Sequence, residues 1–222
     1  MVSYLGHYTH ARTDAANKLV RAVESFLAQQ VEGSELIVVA DGCEKTIETL
    51  KTHYQFHKNI SWYFQPKANG WPGAHRQFAV NRAKNKYITY LDSDDMLLPG
   101  RLVRIIEHLQ TMPFVIDSNL TVAAKDPRDK MRNKLLEHNK HNGIEYWVYE
   151  WGRPSGTWCI SHRKELGYWQ DSPRRGEDLR FVYGLVSWAQ KQNPNIRSDH
   201  YIKPIGGYLI CHVSSGFVKC DF

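Results

Sequence analysis

No segment of this 222-residue chain is long and apolar enough to cross a bilayer as a helix, which argues against a helical membrane protein. The opening MVSYLGHYTH carries neither a basic stretch nor an apolar run of signal-peptide length. No internal repeat, low-complexity tract or Pro/Gly/Ser-rich linker is present, so a solenoid, a disordered tail and a two-domain split all lack support. Cysteine is scarce: Cys43, Cys159, Cys211 and Cys220 lie at wide intervals and form no CxxC pair. That spacing disfavours a zinc ribbon and makes reduced thiols the default. Together these absences predict a soluble protein made in the cytoplasm.

What is present suits one globular domain with a sizeable core, since 42% of the residues are hydrophobic. A net charge of +6 favours anionic partners: phosphorylated donors, anionic membrane surfaces or nucleic acid. A peripheral position at the inner face of a membrane is therefore a second expected location. The basic residues are dispersed, however, and outside KDPRDKMRNK and SPRRGED they read as solvated surface.

The first half alternates strand and helix. VSYLGH reads as a strand, and a helix capped by Thr13 follows over 14–30, with Ala16, Leu19, Val20, Val23, Phe26 and Leu27 at helical spacing. ELIVVA is a short, continuously apolar strand of the kind buried on both faces, and it ends in Asp41-Gly42. A helix over 44–54, the strand ISWYF, a helix over 71–84, the strand KYITYL and a helix opened by Pro99 complete the series. This order predicts βαβ units and a mostly parallel sheet, with ligands bound beyond the carboxyl ends of the strands. Beyond residue 117 the pattern loosens. A helix is predicted over 129–139, then the aromatic pieces EYWVYEW and GTWCIS, an amphipathic helix after RRGED, and strands near HYIKPIG and YLICHV.

Three polar clusters fall at strand ends: His7-Tyr8-Thr9, Asp41, and Asp92-Ser93-Asp94-Asp95. The last follows directly on a hydrophobic strand. Asp and Ser are ordinary turn formers, so a plain turn is one reading. The other is a divalent metal site, because concentrated carboxylates at a strand end call for a cation with oxygen ligands. An EF-hand is excluded, since Met96 and Leu97 stand where that loop needs an oxygen ligand and a glycine.

An ordered series of motifs carries a resemblance. AVESFLAQ, ELIVVADG, GWPGAHRQFAVNRAKNKYITYLDSDDMLLPGRL and finally GED before an apolar helix resemble the family 2 glycosyltransferases. The resemblance implies an α/β fold of the GT-A type: one domain over 1–222, its Rossmann-like, mostly parallel sheet flanked by helices. Residues 1–117 would form the nucleotide-sugar half and 118–222 an irregular acceptor half. It implies a nucleotide-diphosphate sugar as donor and Mn²⁺ or Mg²⁺ as cofactor. The family's DXD motif falls on Asp92, Ser93 and Asp94, with Asp94 holding the metal and Asp92 helping through the metal or the donor ribose. His212 stands where some members supply a further metal ligand; a strand histidine with a local partner is the alternative.

Asp41 matches the family aspartate that meets the nucleobase, or else caps a helix. A carboxylate can accept from uracil N3–H, which favours a uridine donor. His7 and Thr9 occupy likely base-contacting positions, although GHYTHARTD departs from the family's Pro-Thr-Tyr-Asn run and His7 could instead be a rim histidine. Arg76 matches a basic position facing the diphosphate, with a surface salt bridge as the alternative. In inverting members an aspartate at the GED position removes the acceptor proton, which assigns that duty to Asp178 with Glu177 beside it. A helix cap is the other reading. Trp147, Trp151, Trp158 and Trp169 read as a mixture of sugar platform and core.

The implied activity is metal-dependent, inverting transfer of a sugar from a UDP-sugar to a hydroxyl of a glycan or lipid-linked saccharide. One alternative takes nucleic acid as acceptor, glycosylating a hydroxylated DNA base. Another is a non-catalytic module that binds nucleotide-sugar or nucleic acid on the same fold. A nucleotidyltransferase is disfavoured, because no glycine-rich loop follows the first strand.

Overall fold

The run LIVVAD forms strand β2 (Leu36–Asp41), buried at every position as its unbroken apolar character requires. A computed structural model describes residues 1–3, 15–67, 72–122, 133–141, 144–151, 160–167, 169 and 177–210. β1 (Val2–Ser3) and β3 (Ile60–Gln65) flank β2 in a parallel sheet of order β1-β2-β3. α1 (Ala15–Leu27) precedes β2, and α2 (Glu44–Tyr54) connects it to β3. Asp41 pairs in register with Gln65, so both strands end on the same rim.

The chain then runs through α3 (Gly73–Arg82), β4 (Tyr87–Thr89), β5 (Met96–Leu97), α4 (Arg101–Thr111) and β6 (Phe114–Asp117). β7 (Asn119–Val122), β8 (Asn133–His141), β9 (Ile144–Trp151) and β10 (Ile160–Arg163) follow, then α5 (Glu177–Gln192), β11 (Ile202–Lys203) and β12 (Tyr208–Ile210). A second sheet has the order β11-β6-β10-β4, with β10 antiparallel to both β6 and β4. A third, of order β5-β12-β7-β9-β8, is mixed. The regular parallel pattern thus belongs to the first half, and the second half adds antiparallel strands.

One element differs from expectation. The helix predicted over 129–139 is not formed over its described part: Asn133–His141 is strand β8, paired antiparallel with β9. KLLEH has good helix formers, but β9 is IEYWVYEW, a run of aromatic and β-branched residues that offers a strong pairing partner. His138 lies opposite Trp147, and their rings stack at 4.7 Å. Cross-strand pairing overrides local propensity here.

The core has two parts on the two sides of the sheet, as β6 makes plain. Val115 joins Leu19, Val23 and Phe26 of α1, Leu50 and Tyr54 of α2 and Leu102, Ile105 and Leu109 of α4. Phe114 and Ile116, facing the other way, join Val80 of α3, Ile160 of β10, Trp169, and Phe181 and Leu185 of α5. That alternation is the strand's period of two, and it yields helices on both faces. Among the described residues no helix is long and apolar enough to cross a membrane.

Arg101 and Asp117 form a buried ion pair behind the site. Arg101 is fully buried; its Nη1 donates to Asp117 Oδ2 at 2.6 Å and to the Gly206 carbonyl at 2.6 Å. Asp117 Oδ1 in turn accepts the N–H groups of Ile205 and Gly206 at 3.1 and 3.2 Å. The pair therefore fixes the approach to β12. Arg101→Met should lower unfolding free energy by about 3–5 kcal/mol, because it strands a buried carboxylate. Urea titration followed by fluorescence measures it, and a loss under about 1 kcal/mol would mean the pair does not hold this junction.

Candidate functional site

The acidic run after β4 forms a tight turn in which Asp95 N–H donates to the Asp92 carbonyl at 3.2 Å. Asp95 points inward, 1% exposed, and accepts the Tyr208 hydroxyl at 3.1 Å. Tyr208 Oη itself accepts the Asp92 N–H at 2.9 Å. Burial, with Asp95 and Asp92 nearby, pushes the Tyr208 hydroxyl well above its ordinary range, so it stays a donor. The fourth acidic residue of the run is thus a structural anchor, and the Asp92 side chain stays 39% exposed on the rim.

α1 and the turn just past its end clamp the same acidic turn through a polar stripe at spacing of four. Arg21 donates to the Asp94 carbonyl at 2.6 Å, and Ser25 Oγ accepts the Leu97 N–H at 3.0 Å. Gln29 donates to the Leu97 and Leu98 carbonyls and accepts the Leu102 N–H. All three side chains are buried, so the turn's backbone is held from below.

Asp41 ends β2 and is 7% exposed. Its Oδ1 accepts from His75 Nε2 at 2.9 Å and its Oδ2 from Lys67 Nζ at 2.6 Å. The helix-cap reading of Asp41 does not hold: the residue before α2 is Cys43, and no side chain caps it. The next residue on α3, Arg76, turns to the other acidic end, with Nη2 3.7 Å from Asp92 Oδ1. Consecutive residues at the start of one helix thereby join the ends of two strands into one rim.

Arg76 also lies over the Trp169 ring, 5.1 Å from its centroid. Trp169 Nε1 donates to Tyr90 Oη at 2.7 Å, and the Tyr90 hydroxyl meets His162 Nε2 at 2.7 Å. His162 Nδ1 pairs with the Arg163 carbonyl at 2.8 Å, which sets Nε2 as the acceptor. Burial lowers the His162 pKa to about 4, so this relay is neutral near pH 7. Trp169 stacks on Phe181 of α5 at 4.1 Å. Asp178 sits three residues before Phe181, at the start of the same helix, and its Oδ1 accepts the Leu179 N–H at 2.9 Å. A packed path thus runs from Asp92 through Arg76, Trp169 and Phe181 to the helix turn that carries Asp178.

The structure therefore brings Asp41, Arg76, Asp92, Ser93 and Asp94 to one rim and braces α5 against it. Glu177 opens α5, but its side chain is outside the described residues, as are His7, Thr9, Trp158 and His212. Trp147 and Trp169 are 7% and 3% exposed, which makes both core residues rather than an open sugar platform. Sequence reasoning missed Lys67, His75, Arg21 and Tyr208. A polar stripe at 21, 25 and 29, along apolar α1 and just past its end, was the one readable sign among them.

For a divalent cation the donor set is hard oxygen. Among the described residues no group of three or more His, Cys, Asp or Glu side chains surrounds a common point. Asp92 and Asp94 nonetheless fit Mg²⁺ or Mn²⁺, since such ions are commonly held by one or two carboxylates plus substrate phosphates and water.

Several known proteins are similar to this chain in fold or in sequence. The S. aureus TarS 1-349 crystal structure superposes with a TM-score of 0.53 at 15% identity, covering 82% of this chain and 53% of that one. TarS 1-349 in complex with UDP-GlcNAc gives 0.52 at 15% identity, covering 91% and 59%. These likenesses establish the GT-A-type α/β fold. In sequence, an uncharacterized glycosyltransferase of Methanocaldococcus jannaschii is 34% identical over 130 residues, 54% of this chain and 44% of that protein. The succinoglycan biosynthesis protein ExoO of Rhizobium meliloti is 32% identical over 119 residues, 53% of this chain and 34% of that protein. The chain thus spans less than half the length of these curated relatives. The family model of glycosyl transferase family 2 matches residues 9–165, which takes in β2, the Asp41 and Asp92–Asp94 rim, and all of α3. With fold, motif order and rim in agreement, this chain belongs to glycosyl transferase family 2.

Proposed function

We propose that this chain is a metal-dependent, inverting glycosyltransferase that moves a sugar from a UDP-sugar to a hydroxyl of a glycan or lipid-linked saccharide. The observation that carries this reading is the joined rim: His75 and Arg76, consecutive on α3, tie Asp41 at one strand end to Asp92 at another. A nucleoside diphosphate needs that pairing, with a base-reading acceptor at one end and charge-handling groups at the other. TarS, whose solved complex holds UDP-GlcNAc, supports a uridine donor by analogy of fold.

Asp41 accepts from the base, and Arg76 faces the diphosphate. Asp94 and Asp92 would hold Mg²⁺ or Mn²⁺, which would supply Lewis-acid stabilisation of the charge left on the departing diphosphate. Asp178 takes the proton of the acceptor hydroxyl as its oxygen bonds to C1 of the sugar. The bond from C1 to the phosphate oxygen breaks on the opposite face, so the anomeric configuration inverts.

Nucleotide release tests the reading, using UDP-, GDP- and dTDP-sugars with Mn²⁺ and pooled glycan and lipid-linked acceptors. UDP-sugars should give the fastest release, and chelation should stop it. Release no faster than without enzyme, from every donor and with folded protein, would overturn the proposal.

A further inference from the structure

A helix packed on one side of a sheet needs one apolar stripe, and α5 has two. Phe181, Leu185 and Ala189, at spacing of four, are buried in the core. A second set, Leu179, Val182, Tyr183 and Val186, follows the i, i+3, i+4, i+7 rule along the adjoining flank. Val182 and Val186 are half-buried at the margin of the core, whereas Leu179 is 39% exposed and Tyr183 67%. Apolar side chains scattered singly over a surface need no explanation, but these four form one line.

Charge is arranged with the same bias. The acidic residues of α5, Glu177 and Asp178, both lie in its first turn, and none follows over 179–192. Arg180 and Lys191 are exposed and, at 3.6 residues per turn, fall within about 20° of each other around the helix. That line lies about 60° from Tyr183. Gly184 and Ser187 flank it, both exposed, and a Cβ on Gly184 would meet nothing within 4 Å. Trp188 is exposed on the far side of the cations.

We propose that the outer face of α5 docks on an anionic lipid surface, with the apolar strip at the acyl–headgroup boundary and Arg180 and Lys191 among the headgroups. An apolar strip bordered by cations and aromatic side chains is what such an interface takes. Long basic side chains reach headgroup phosphates while their stems cover apolar surface. The chain's net charge of +6 has the matching sign.

Other occupants fit less well. A two-fold contact between copies through this face would bring the cations of two helices together, with no carboxylate over 179–192 to answer them. Single-stranded nucleic acid would use the cations and Tyr183 but leave Leu179 and the two valines idle, since aliphatic side chains offer no face for stacking. Docking on lipid also bears on the reaction. Asp178 precedes Leu179, so a docked strip holds the proposed acceptor base at the headgroup layer, where the head of a lipid-linked saccharide lies. The lipid contact is measured without donor or acceptor, so its failure leaves the transfer reading intact.

Flotation of the full chain with vesicles tests the proposal, using phosphatidylcholine alone and phosphatidylcholine with about 30% phosphatidylglycerol. The chain should float with the anionic vesicles in low salt, stay behind with the neutral ones, and be released by high salt. Leu179→Ser combined with Tyr183→Ser should cut partition at least about tenfold. Arg180→Gln and Lys191→Gln should each cut it about fivefold. Phe56→Ser, which removes a highly exposed side chain in the turn after α2, should change nothing. All these side chains are exposed, so the variants should fold. No flotation of wild type with anionic vesicles, or flotation that survives the loss of Leu179 and Tyr183, would overturn the proposal. So would a dimer in sedimentation velocity, or binding of single-stranded DNA, that the same two substitutions abolish in place of lipid binding. The wild-type vesicle comparison stands whatever a variant does.

Discussion

Asp94→Ala should lower sugar transfer by about 10²–10⁴-fold and make donor binding insensitive to Mn²⁺. The size follows from the several kcal/mol that a Lewis acid supplies at a departing diphosphate, at about 1.4 kcal/mol per decade of rate. The fold should survive for a specific reason. Arg21 holds residue 94 through its main-chain carbonyl, at 2.6 Å, and alanine keeps that group. The turn also keeps its Asp95 N–H to Asp92 bond and its Tyr208 anchor. Transfer rate and UDP affinity, each measured with and without Mn²⁺, decide the matter. Full activity in Asp94→Ala would remove the metal role from this turn, and a collapse of the thermal transition would assign the carboxylate to folding instead.

The parts of this fold legible in the sequence are those fixed by short-range patterns. An unbroken apolar run bounded by Asp-Gly gave a buried strand that ends on the acidic rim, because a two-faced burial admits few polar residues. The apolar spacing from Leu19 to Phe26 located α1 to within a few residues of its observed span. The acidic run was visible as well, but its division of labour was not. Asp95 looks like its neighbours in sequence, and its bond to Tyr208, 113 residues away, marks it as an internal anchor. Lys67 and His75 were hidden for the same reason, lying 26 and 34 residues from Asp41. The β8 segment failed differently. Its own residues favour a helix, and the deciding information lies in the aromatic strand it pairs with.

The tryptophans show how an aromatic count can mislead. Trp169 combines an indole N–H bound to Tyr90, a stacked Phe181 and a nearby Arg76. It is 3% exposed, so no sugar ring can lie on it. Its contribution is mechanical: it links the rim that would hold the donor to the helix that carries Asp178.

Asp178→Asn should separate that helix's two possible duties. As a general base, Asp178 is needed only while the acceptor hydroxyl loses its proton, so its removal should cost about 10²–10⁴-fold in turnover. Donor affinity should stay near wild type, since the proposed reading places the nucleotide's contacts at Asp41, Arg76 and the Asp92–Asp94 turn. Folding should change little as well. Asn keeps an oxygen to accept the Leu179 N–H that Asp178 now takes at 2.9 Å, and it remains a good residue for a helix start. Phe181 and Trp169 are untouched, so α5 keeps its place. UDP affinity and transfer rate measured on the same protein distinguish three outcomes. Turnover near wild type would leave Asp178 as a cap and nothing more. Affinity lost together with turnover would move it into the donor site. Only preserved affinity with lost turnover supports Asp178 as the group that takes the acceptor proton, because the nucleotide then binds normally and the loss falls on the acceptor side of the reaction.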